Sequence, residues 1–125
     1  PPAVTALVGA TVIDIDGGPP IADATVLVRG ETIVSVGPRG TVAIPPDAKI
    51  VPLPGKWLIP GLMNMHVHFG LKLPGAAGNA LAGETDGELT LRMASNAAKA
   101  LHAGVTTVRL VHTENGMDFA LKRAI

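Results

Sequence analysis

The chain has 125 residues, enough for one small domain or part of a larger one. Ten Lys and Arg balance ten Asp and Glu, so no net charge draws it to nucleic acid or an anionic membrane. Apolar residues make up 47% of it with one Trp and two Phe, so a core must be aliphatic, and with no cysteine, disulfide scaffolds and thiolate zinc sites are excluded. No apolar run reaches the roughly 18 residues a membrane span needs, and no signal-peptide pattern opens the chain. It starts Pro1-Pro2 without Met, which implies a trimmed or chosen N-terminus. A cytoplasmic protein is expected, with a secreted form that has lost its signal peptide as the alternative.

In chain order, Ala6 to Asp14 is β-branched and aliphatic and predicts a strand, stopped by the turn cluster Asp16 to Pro20. Ala24 to Arg29 and Thr32 to Val36 predict two more, joined by Gly30-Glu31 as a tight hairpin in which Gly30 supplies positive φ. Val42 to Ile44 is weakly strand-like, Lys49 to Leu53 is another strand, and Pro54-Gly55 turns the chain into Lys56 to Ile59. Short strands with Gly/Pro turns predict a small antiparallel sheet or sandwich over residues 1–59. Nothing polar clusters there, so its role is that of a platform.

The stretch that carries chemistry is IPGLMNMHVHFG, Ile59 to Gly70. His66 and His68 are two apart on a predicted strand, so they share one face with roughly 6.5–7 Å of strand between them. Two imidazoles so placed can converge on one metal ion at roughly 2.0–2.1 Å per nitrogen. Asn64 shares that face, whereas Met63, Met65 and Val67 make an apolar face suited to burial.

Leu71 to Gly87 is Gly- and Ala-rich, long and without a period, ending in Glu84, Asp86 and Glu88, which can touch a ligand or favour the start of the next helix. Glu88 to Ala103 predicts that helix, with Leu89, Met93, Ala97, Ala100 and Leu101 at helical spacing, His102 in its last turn and Gly104 as its stop. Val105 to Val111 predicts a buried strand, and Met117 to Ile125 a further helix. The βαβα order over residues 60–125 argues a parallel sheet.

PGLMNMHVHF resembles the first-barrel-strand motif of the metal-dependent amidohydrolase superfamily, Pro-Gly-hydrophobic-hydrophobic-Asp-x-His-x-His, with Asn64 where the pattern has Asp. AGVTTVR, Ala103 to Arg109, resembles the family's second barrel strand, closest to the branch of imidazolonepropionase-like proteins, Xaa-Pro dipeptidases and arginine carboxypeptidases. Other His-x-His families fit worse. A metallo-β-lactamase-type site wants Asp-His where Gly70-Leu71 stand, and a cupin wants Glu where Lys72 and Leu73 stand.

The resemblance implies a small β-sandwich segment followed by the first two βα units of a (β/α)8 TIM-type barrel. A full barrel takes about 250 residues, so the chain is expected to be incomplete, the rest of the barrel coming from the same or a second chain. His66 and His68 are then metal ligands for one or two divalent ions, Zn²⁺ foremost, and Asn64 supports them from behind. His112, just past the second strand, is a candidate substrate contact at the barrel mouth. The remaining ligands and the catalytic carboxylate are expected beyond residue 125. The implied reaction is hydrolysis of amide bonds in peptide-like or N-acyl amino acid substrates by metal-activated water. The alternatives are a cyclic-amide hydrolase of the imidazolone type and a truncated, non-catalytic metal-binding or interaction module. Partners are expected to be a small or peptide-like substrate, with no nucleic acid and no membrane; homo-oligomerisation is left open.

Overall fold

The computed structural model describes residues 2–125, residue 114 by its backbone alone; Pro1 lies outside the described residues. The chain divides into two compact units, Pro1–Pro60 and Gly61–Ile125. None of the described helices is long and apolar enough to cross a membrane.

The first unit is one mixed sheet of five strands: β1 (Val4–Val12), β2 (Ile21–Arg29), β3 (Thr32–Pro38), β4 (Lys49–Pro52) and β5 (Trp57–Leu58). β1, β2 and β3 are successive antiparallel neighbours. The two residues between β2 and β3 form the expected hairpin, and Gly30 has φ 58°, a conformation costly for any residue with a Cβ. The expectation of an entirely antiparallel sheet fails at the other edge. Both β4 and β5 pair parallel to β1, β4 alongside Thr5 to Val8 and β5 alongside Thr11 and Val12. Residues 39–48 return the chain to the end where β1 begins, so the next strand must run the same way as β1. Val42 to Ile44, expected as a weak strand, is turn and irregular chain. Its apolar content serves packing instead, since Val42 is buried with Ala6 and Leu27.

The second unit pairs β6 (Leu62–Val67) with β7 (Val105–Leu110) in parallel. Between them come a single helical turn, α1 (Ala76–Asn79), and the long α2 (Asp86–His102); α3 (Met117–Ala124) follows β7 after a 3-10 turn. The start of α2 is written in its sequence. Thr85 caps it, its side chain accepting from the Glu88 backbone N–H while the Glu88 carboxylate accepts from the Thr85 N–H at 2.8 Å, which satisfies two otherwise orphaned donors. Glu88 is therefore a capping residue, and its bonds from the Thr85 backbone and hydroxyl hold its carboxyl below the ordinary carboxylate range. Gly104, with φ 89°, ends the helix.

Phe69, Leu89, Met93 and Leu121 form the core of this unit, and Val67, Val108 and Leu110 pack on it. The helices thus cover the C-terminal ends of the two strands. Two expectations fail for that reason. Met63 and Met65, read as a face for burial, are 71% and 57% exposed, because the core reaches only the Val67 end of β6. β7, read as a buried strand, keeps Thr106, Thr107 and Arg109 exposed.

Candidate functional site

Val67 packs on the helix core, and His66 stands next to it in β6. The pairing with β7 slips by one residue between Asn64 and Val67, which interrupts simple alternation there, and His68 follows one residue past the strand's end. The Asn64 side-chain oxygen accepts from the His66 backbone N–H at 3.1 Å, so Asn64 braces the backbone that carries the first imidazole. The two rings meet edge to face, with centroids 4.9 Å apart, and their Nε2 atoms are 3.0 Å apart.

That separation allows two chemistries. In one, a ring N–H donates to the other ring's nitrogen. In the other, both lone pairs address a common cation, for two nitrogens at the zinc distance on a tetrahedron lie ~3.3 Å apart. His68 Nδ1 is buried with no partner. Both chemistries use Nε2, so this buried ring nitrogen stays unpaired in either, at a cost of about 1–3 kcal/mol. Thr113 Oγ1, just past β7, is the other buried side-chain atom in that state among the described residues. Both lie at the C-terminal end of the strand pair, so unmet hydrogen-bonding demand gathers at the end where the imidazoles converge.

His112 reaches the same end. Val111 N–H donates to Val67 O at 3.0 Å, so the residues that come next, His68 and His112, leave adjacent strands side by side. His112 is exposed with φ 59°, a left-handed conformation that turns the chain out of the strand. Among the described residues no third His, Asp or Glu completes a metal-binding group with the pair. The acidic run is committed elsewhere. Glu84, whose side chain is 4% exposed, takes a two-pronged contact from Arg92 at 2.6 and 2.7 Å, and Asp86 accepts from Asn115. The Arg92 guanidinium, with lesser help from Lys72, holds the Glu84 carboxyl below the usual carboxylate range.

Two side chains at the site escape a reading of the sequence. Arg92 and Asn96 on α2 donate to backbone carbonyls of the turn after His68. The signal was their spacing with the apolar residues, since 89, 92, 93 and 96 make one helical stripe. Gly61 also does more than punctuate. A Cβ there would collide with the Thr106 side chain, so the Pro-Gly of the motif permits the close pairing of β6 and β7.

No family model matches the sequence, and a search of curated proteins finds no match. Solved structures do match. Molinate hydrolase is 28% identical with a TM-score of 0.85, over 99% of this chain and 27% of its own. Phenylurea hydrolase B is 28% identical with a TM-score of 0.79, over 97% of this chain and 27% of its own. A prolidase solved with N-methylphosphonate-L-proline is 26% identical with a TM-score of 0.75, over 97% of this chain and 29% of its own. The chain thus spans less than a third of the length of these proteins. Its structural relatives are members of the amidohydrolase superfamily, the family whose motif Pro60 to Phe69 resembles.

Proposed function

We propose that this chain supplies the first two ligands, His66 and His68, of a divalent-metal centre, Zn²⁺ foremost, in a hydrolase that cleaves amide bonds. The observation that carries the reading is the convergence of their Nε2 atoms to 3.0 Å at the C-terminal end of a parallel strand. The β6-α2-β7-α3 order is compatible with the opening units of a (β/α)8 barrel, a fold whose active sites gather at that end of the strands, and this supports the reading.

A divalent ion in that position supplies Lewis-acid polarisation of a carbonyl and acidifies water to near neutrality. The chain's own residues have distinct parts. His66 and His68 would hold the ion through their Nε2 lone pairs. Asn64 fixes the backbone of the first by accepting the His66 N–H. His112 stands at the same rim, exposed and free to meet a substrate. Later strands, in the same or a second chain, would bring the further ligands and the carboxylate that handles the proton. Peptide-like or N-acyl amino acid substrates are favoured, since a prolidase is among the structural relatives.

The test is hydrolysis of a panel of N-acyl amino acids, dipeptides and cyclic amides by the intact protein, with and without chelator, beside the His66→Ala/His68→Ala variant. Chelator and variant should both abolish turnover. Turnover that survives both would overturn the reading. A protein that binds metal through the pair but turns over nothing would be the non-catalytic module.

A further inference from the structure

His68 stands outside the strand ladder, one residue beyond β6, so β6 alone does not fix its imidazole. The chain turns immediately afterwards, with Leu71 N–H donating weakly to His68 O at 3.4 Å. What holds that turn comes from one stripe of α2. Asn96 Nδ2 donates to Phe69 O at 2.9 Å, Arg92 Nη2 to Gly70 O at 3.1 Å, and Arg92 Nη1 to Leu71 O at 3.4 Å. Three consecutive carbonyls after His68 are thus each met by a side chain of the helix. The apolar members of the stripe grip the same turn. Phe69 is buried with Leu89 and Met93, and a Cβ on Gly70 would stand only 3.0 Å from Leu89 and 3.3 Å from the Met93 sulfur. Glu84 in turn fixes the Arg92 guanidinium in plane through its two oxygens.

We propose that Arg92 and Asn96 are positioning residues for His68, holding by its backbone the imidazole that would otherwise ride on a loose turn. The inference rests on the reading of His66 and His68 as metal ligands. It also explains why a Gly- and Ala-rich loop can come directly after a ligand, for the three residues that matter are tied to a helix. Groups behind a ligand commonly govern affinity by 10–100-fold, and these act through the main chain.

The experiment measures Zn²⁺ affinity, by competition with a chelator, on the intact protein and on Asn96→Ala, Arg92→Lys and His66→Ala/His68→Ala. Arg92→Lys keeps a cation for Glu84 but loses the fork, so it retains the fold where removal of the charge would strand a buried carboxylate. Urea unfolding of each metal-free variant and amide exchange of Leu71 run alongside. Asn96→Ala and Arg92→Lys should bind Zn²⁺ about 10–100-fold more weakly, and Leu71 should exchange faster while amides in β1 to β3 do not. Zn²⁺ affinity equal to that of the parent, with only the unfolding midpoint lowered, would mean a merely structural role and overturn the inference. If His66→Ala/His68→Ala binds Zn²⁺ as the parent does, the metal reading fails instead. Leu71 exchange then still decides whether the two side chains hold the turn, and unchanged exchange overturns that as well.

Discussion

The two units spend their sequence differently. In the first, β1, β2 and β3 form a hairpin-linked ladder with Ala6, Ala24, Val26 and Leu27 buried, and its ion pair, Asp23 with Arg39, is exposed. In the second, a two-stranded sheet brings two histidines together at its C-terminal end and commits Arg92, Glu84 and Asn96 to holding a loop. A region that sets polar side chains to hold a turn and leaves buried polar atoms unmet is where function is to be sought.

That contrast can be broken most severely in the core of the second unit. Met93 is fully buried beneath the turn after His68, and Met93→Ala should cost about 2–5 kcal/mol in urea unfolding. Met65→Ala on the exposed part of β6 should change stability by less than about 0.5 kcal/mol. Equal losses at the two positions would deny that the helices cover only the strand ends. Gly61→Ala forces a methyl group against Thr106 and should cost about 1–3 kcal/mol, read in the same assay, and Gly61→Ala/Thr106→Gly should recover part of it. Thr85→Ala removes half of the capping box and should cost about 0.5–2 kcal/mol, visible as faster amide exchange in the first turn of α2.

A smaller and pH-dependent effect sharpens the comparison. The Glu84 carboxyl is held below its ordinary 4.5 in the folded state, so its stabilisation is present above that value and is lost as pH falls through the lower, folded one. Glu84→Gln should therefore flatten the acid limb of stability below about pH 4.5 while leaving its neutral-pH slope unchanged. An acid limb identical to the parent's would remove Glu84 from the account.

Much of this is legible in the sequence because it is local. The Gly30 hairpin and Gly104 as the stop of α2 each depend on residues close in sequence, and both appear as read. The helix begins at Asp86, two residues before the expected Glu88, because Thr85 caps it, and His68 lies one residue beyond the strand on which it was expected. Parallel pairing of β4 and β5 with β1 is not legible, because the direction of return is set by residues 39–48 as a whole and not by any strand's pattern. Burial of Met63 and Met65 is misjudged for a related reason, since alternation tells which face a side chain takes but not whether anything lies on that face. The grip of Arg92 and Asn96 on residues 69–71 joins positions more than 20 apart, and polar residues within an apolar stripe read as surface until the turn is seen beside them.

The central claim is that His66 and His68 share one divalent ion, and X-ray absorption at the zinc edge of the intact, Zn²⁺-loaded protein tests it most directly. The account predicts a shell of light donors at roughly 2.0–2.1 Å with imidazole outer-shell scattering, and in His66→Ala/His68→Ala loss of bound zinc, any zinc that remains showing two imidazoles fewer. Full zinc occupancy with an unchanged imidazole count in that variant would contradict it.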